Sequence, residues 1–159
     1  MAQSVLAACL LAFLMGVIAG LRTMTAPAAV SWAAYLGWLD LRGSWLAFLG
    51  YAWTPWIMSA LALGELVGDQ LPSTPSRKVP MQFGARIVAG ALAGAAIGAP
   101  SGAPLPGAVA GIAGAILGTL GGHSARARLA KSFGRDLPAA LIEDAVAIGG
   151  ALLIVVALR

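Results

Sequence analysis

Four carboxylates, Glu65, Asp69, Glu143 and Asp144, lie inside or at the ends of apolar stretches, and two arginines, Arg22 and Arg86, open other such stretches. Ionisable groups in hydrocarbon are costly unless they are paired or face water, so they mark either ion pairs that lock helices or a polar path. Glu65 and Asp69 are four residues apart and share one helix face, which makes Arg22 or Arg86 from a neighbouring helix the obvious counterion. The alternative is a proton-binding site, as proton coupling would require. Glu143 and Asp144 are adjacent and point about 100° apart on a helix, so they need two separate polar contacts. Arg126, Arg128 or Arg86 can serve one, and water in a cavity the other.

The run Gly20-Leu21-Arg22-Thr23-Met24-Thr25-Ala26-Pro27 supports two readings. Pro27 disfavours helical geometry at Ala26, and Thr23 and Thr25 can offer hydroxyls to freed carbonyls, so a broken helix with an arginine at membrane depth would suit an anion or carboxylate. Alternatively Pro27 sits in the first turn of an ordinary helix, capped by Thr23 or Thr25, with Arg22 as a topological anchor. In the break that follows Asp69, the residues Ser73, Thr74, Arg77 and Lys78 could hold a lipid phosphate, or the prolines there could make a rigid connector.

Other chemistries are missing. His123, the only histidine, has no Cys or His companion at metal-ligand spacing, so neither a metal site nor a cofactor is expected. There is no phosphate-binding loop, dinucleotide fingerprint or Ser/His/Asp set. Acidic pairs in membrane lipid enzymes can bind magnesium, which keeps a metal-dependent lipid-modifying enzyme as a third reading. The single Cys9 has no partner for an internal disulfide and reads as a small buried hydrophobe.

The elements that must position these charges are membrane helices. The 159 residues are 60% hydrophobic and 10% charged, with a mean hydropathy of +0.89, and soluble domains average about 25% charged residues. The expected fold is all-α, a polytopic integral membrane bundle forming one domain over residues 1–159. Six apolar segments fall at roughly 4–21, 24–39, 45–67, 84–100, 105–122 and 137–158. The third and sixth are long enough to span alone at about 20 residues per crossing, and the shorter ones need help or form a re-entrant pair. The first is not read as a secretory signal, since Met1-Ala2-Gln3-Ser4 carries no side-chain charge.

Arg22, Arg77, Lys78, Arg86, Arg126, Arg128, Lys131 and Arg135, eight of the ten basic residues, fall on one side if all six segments span. That bias puts the loops 70–83 and 123–136 in the cytoplasm and both termini outside. Basic residues confined to such breaks offer no nucleic-acid face. All five tryptophans lie between Trp32 and Trp56, which fits an interfacial belt on the outer side, or alternatively a ligand pocket. Glycines recur every fourth residue at 90, 94 and 98 and at 114, 118 and 122, small-xxx-small ridges that let helices pack closely within one chain or across a homodimer. The order Gly20-Leu21-Arg22 and, 64 residues later, Gly84-Ala85-Arg86, each followed by an acidic pair, suggests internal repeats at roughly 16–77 and 80–150, an arrangement common in transporters.

The stretches Gly20 to Ala28, Glu65 to Arg77 and Gly84 to Arg86 resemble a bacterial membrane-protein family catalogued as domain of unknown function four-one-two-six. The most specific part is Asp69-x-Leu71-Pro72-x-Thr74-Pro75-x-Arg77, and the family pattern has a lysine where this chain has Gln70. The resemblance implies a bacterial inner-membrane protein and supplies no substrate. The expectation is therefore a small transporter or channel, probing a solute or ion with Arg22, Thr23, Thr25, Glu65, Asp69, Arg86, Glu143 and Asp144. A non-transporting scaffold or assembly factor, in which these charges only lock helices, is the alternative.

Overall fold

The computed structural model describes residues 4–68 and 80–159. Asp69, Ser73, Thr74, Arg77 and Lys78 therefore lie outside the described residues. Six α-helices and two short 3₁₀ turns account for most of what is described: α1 Val5–Leu21, α2 Thr25–Tyr35, α3 Thr54–Gly68, α4 Pro80–Gly98, α5 Pro104–Phe133 and α6 Asp136–Ala157, with turns at Trp45–Gly50 and Ala99–Ser101. Three stretches, Pro80–Ser101, Pro104–Phe133 and Asp136–Ala157, are long and apolar enough to cross a membrane. Together with the composition they make this a membrane-embedded helical protein.

Helices α1, α4 and α5 form the tight centre, because glycine lets their backbones touch. A methyl group built on Gly90 would lie 2.7 Å from the Gly111 carbonyl oxygen and 2.8 Å from the Ala115 Cβ, and one on Gly20 would lie 2.6 Å from the Thr119 nitrogen. Gly16, Gly94, Gly107, Gly111, Gly114 and Gly118 likewise face backbone of a neighbouring helix closer than a side chain allows. Without a hydrophobic drive between helices in lipid, such close approach supplies the dispersion contacts that hold them. Ala12, Ala19, Ala93, Ala96 and Ala115 complete the seam with essentially no exposure. The sharp reversal from α4 to α5 runs through Gly102 at φ +69°, a left-handed conformation that favours glycine, and Pro104 opens the next helix.

Helices α2 and α3 pack antiparallel on the flank. The start of α2 meets the end of α3 through Glu65, and farther along Trp32 donates from Nε1 to the Ser59 hydroxyl at 3.0 Å and stands edge-on to Trp56. The 11 residues of α2 reach only about 16 Å, half the hydrocarbon thickness of about 30 Å. The chain leaves helical geometry at Gly37, with φ +76°, and folds the 3₁₀ turn back under the helix, burying Leu46 and Leu49, with the Ser31 hydroxyl donating to the Leu49 carbonyl at 2.5 Å. The apolar run 45–67 is thus two elements, since Thr54 starts a new helix and its hydroxyl donates to the Phe48 carbonyl at 2.7 Å.

The stretch 123–133, read from its charges as a break, continues α5 without interruption. Arginine, lysine, leucine and alanine are strong helix formers, so the charges there do not end the helix. Gly134 at φ +67° ends it instead. Trp45, Trp53 and Trp56 are exposed, 60% or more, whereas Trp32 and Trp38 are half-buried.

Candidate functional site

The end of the bundle where α1 stops and α2 starts collects the charges. Arg22 is the residue after α1; its backbone is extended (φ −138°, ψ 112°) and its N–H still donates to the Ile18 carbonyl at 2.8 Å. With the helix ended there, the Gly20 and Leu21 carbonyls lose their in-helix donors, and the N–H groups of Thr23 and Met24, at the start of α2, lack in-helix acceptors. Each set finds a charge of the matching sign on another helix.

Arg86, in the second turn of α4, is 2% exposed and donates from Nη1 to the Gly20 carbonyl at 2.6 Å and the Leu21 carbonyl at 2.9 Å. A cation is the favoured occupant of a helix C-terminus, where the macrodipole is negative. The Thr119 hydroxyl of α5 also donates to the Gly20 carbonyl, at 3.3 Å, while bonding Ala115 one turn back at 2.8 Å. At the opposite pole, Glu65 from the last turns of α3 accepts from the Thr23 N–H at Oε1 and the Met24 N–H at Oε2, both at 2.7 Å. A carboxylate on two N–H groups at a helix start is a charge-assisted cap. Arg86 Nη2 and Glu65 Oε1 stand 3.8 Å apart, so the two caps also face one another, more loosely than either holds the backbone.

Arg22 itself, with no exposure, turns to α6 and pairs through Nη2 with Asp144 Oδ1. Glu143, one position earlier, faces Arg126 of α5, whose Nη1 lies 3.4 Å from Glu143 Oε2. The other edge of Arg126 holds Asp136, with Nε 2.9 Å from Oδ1. Asp136 lies in the first turn of α6, where a negative charge is favoured. Glu143 and Asp144 are each 8% exposed and lie about 11 Å along α6 from Asp136.

The structure thus brings together Arg22, Glu65, Arg86, Glu143 and Asp144. Glu65 faces Arg86, one of the two counterions expected for it, and Glu143 faces Arg126, also among those expected, whereas the Arg22–Asp144 pair was not anticipated. Thr23 joins through its backbone N–H, whereas Thr25 is a buried first residue of α2 with its side chain outside the charge contacts. Neither threonine hydroxyl caps α2; Pro27 sits in its first turn, as the ordinary-helix reading has it. Asp136, Thr119 and Met24 were not singled out from sequence. Asp136 carried a readable signal, an acid just before the Leu137-Pro138 start of a helix; Thr119 and the Met24 amide carried none. The two Gly-x-Arg triplets also sit in different settings, one at the end of α1 and the other early in α4.

A cleft of about 250 Å³ opens against this cluster, lined by Thr23, Met24, Glu65, Gln82, Ala85 and Arg86. A smaller one of about 120 Å³, mainly apolar, lies between α5 and α6 and reaches Arg126 and Glu143. Among the described residues no group of three or more His, Cys, Asp or Glu side chains stands close enough to hold a metal ion. No curated protein and no solved structure matches the chain. One family model does, that of the Domain of unknown function (DUF4126), over residues 9–157. With nearly the full length matched, and with the Gly-Leu-Arg, Glu-x-x-x-Asp and Gly-Ala-Arg stretches falling inside it, the chain belongs to this family.

Proposed function

We propose that the protein moves a small solute or ion across the membrane, with the Arg22, Glu65, Arg86, Glu143 and Asp144 cluster as the polar centre and the 250 Å³ cleft as its opening on one side. The observation that carries this reading is two arginines and three carboxylates, with Arg126 beside them, packed at one end of a seam that glycine and alanine already hold together. Buried ion pairs are weak contributors to stability, and apolar replacements often serve as well or better. Glycine and alanine hold the seam without the Arg22–Asp144 and Arg126–Glu143 pairs, whereas Arg86 and Glu65 also cap the α1–α2 junction. The Arg86 to Glu65 contact, at 3.8 Å, is the loosest in the set and the one that lines the cleft. It is the natural place for a charged solute to enter by displacing one partner.

The membrane in this reading is the bacterial cytoplasmic membrane, with the loops 70–83 and 123–136 on the cytoplasmic side, supported by the bias of basic residues. Purified protein in liposomes, assayed over a panel of ions and small metabolites, tests the proposal. Flux above empty vesicles that Glu65→Gln removes without loss of helicity supports it; no flux with any solute, for protein shown to be folded, refutes it. A second reading, a scaffold whose charges only lock helices, is favoured by one observation: the buried Arg22 and Arg86 and the half-buried Arg126 each face a carboxylate. Exchanging Arg22 and Asp144 separates the two. A lock survives the exchange with full stability and function, whereas a transport route loses flux while the fold persists.

A further inference from the structure

The α5 helix is longer than the bilayer needs. Its 30 residues extend about 45 Å, whereas the hydrocarbon core is about 30 Å thick and a tilt of about 20° shortens the reach only slightly. About 20 residues from Pro104 exhaust the core near Ser124, so the last turns of α5, the Gly134 reversal and the start of α6 stand at the level of the lipid phosphates. Arg128 and Lys131, three apart and so on one helix face, are exposed there, as is Arg135 just past the reversal. Among the described residues none of these three forms an ion pair; Asp136, the nearest acid, is held by Arg126. Phe133 and Leu137, 48% and 55% exposed, flank them at the tip. Three uncompensated cations beside two large apolar side chains match one chemistry, a phosphate over acyl chains.

We infer that the α5–α6 tip, through Arg128, Lys131 and Arg135, is a docking surface for anionic phospholipid headgroups, which anchor this end of the bundle in an anionic leaflet. The inference does not depend on the transport reading. Each cation near such a surface gives roughly a fivefold preference for anionic over zwitterionic lipid, and the attraction weakens as salt screens it.

The test is native mass spectrometry of the full chain in detergent, titrated with phosphatidylglycerol or with phosphatidylcholine of the same acyl chains. The wild type should retain phosphatidylglycerol at least about tenfold more tightly. The combined Arg128→Gln, Lys131→Gln and Arg135→Gln variant should fall to the phosphatidylcholine level, while Arg77→Gln with Lys78→Gln should keep most of the preference. Wild-type preference in the triple variant, or its loss in the Arg77 and Lys78 variant, overturns the inference. Should the triple variant fail to fold by circular dichroism, two measurements still decide. Arg128→Gln alone should lower the preference about fivefold, and raised ionic strength should erode it in the wild type; insensitivity to both overturns the assignment.

Discussion

Replacing Asp144 with Asn removes one charge while keeping the side chain's shape and one oxygen acceptor. Its partner, Arg22, has no exposure, so the substitution takes the Asp144 counter-charge from a guanidinium held away from solvent. Breaking a buried pair from one side destabilises by about 3–5 kcal/mol. The retained amide oxygen and the 12% exposure of the Asp144 side chain place this case at the lower end. About 3 kcal/mol is expected, a factor of roughly 150 in the folding equilibrium. Unfolding in mixed micelles, followed by far-ultraviolet circular dichroism, reads it directly. Arg22→Met with Asp144→Leu removes both charges and should return to within about 1 kcal/mol of the wild type, because an apolar pair needs no desolvation. If Asp144→Asn unfolds within about 0.5 kcal/mol of the wild type, or the double variant is as unstable as the single one, then solvent reaches Arg22 and the argument from burial is wrong.

Glycine placement makes a contrasting pair. Gly111→Ala drives a methyl into Gly90 backbone and should lose about 1–3 kcal/mol or more, as overpacked seams do, whereas Gly121→Ala meets nothing within 4 Å and should be neutral or up to about 1 kcal/mol stabilising; thermal unfolding of both checks this. Thr119→Val removes the hydroxyl from the Gly20 carbonyl and should cost about 1 kcal/mol, since Arg86 still satisfies that oxygen. In the loop after α2, hydrogen bonds from the Arg42 side chain, and then from its N–H, hold the Asp40 carboxyl below the usual range. A depressed carboxyl contributes stability that is present above its ordinary pKa of about 3.9 and disappears as pH falls through the folded value. Carboxyl-carbon NMR of Arg42→Gln should show Asp40 titrating higher, part of the way back to that ordinary value because the N–H at position 42 remains; no change would remove the assigned cause.

Much of the architecture could be read from the chain, and the residues show why the remainder could not. Hydropathy marked the neighbourhood of each described helix, because an apolar face is required wherever the surroundings are lipid, but it ran the 3₁₀ turn at Trp45–Gly50 together with α3. It overran α2, where Leu36 to Leu39 are apolar enough to continue but form a loop that buries only Leu39. It stopped α5 too early at His123, since charge marks where a helix leaves the membrane and says little of where its hydrogen bonds end. Five of the clustered charges were identifiable by type and depth alone. Their partners were not, because Arg22 reaches Asp144 and Glu65 reaches the Thr23 and Met24 amides across more than 40 residues of chain. No spacing rule covers such a separation.

The junction between α1 and α2 depends on residues synthesised after it. Until Glu65 emerges, the Thr23 and Met24 amides lack their anionic cap, and until Arg86 emerges, so do the Gly20 and Leu21 carbonyls lack their cationic one. Ends left bare in this way are tolerated in water or the headgroup layer and not in hydrocarbon. The α1–α2 junction is therefore completed only after α3 and the first turns of α4 have been made. Truncations ending before Glu65 should be caught by membrane quality control, whereas those ending after Arg86 have their first two helices fully seated.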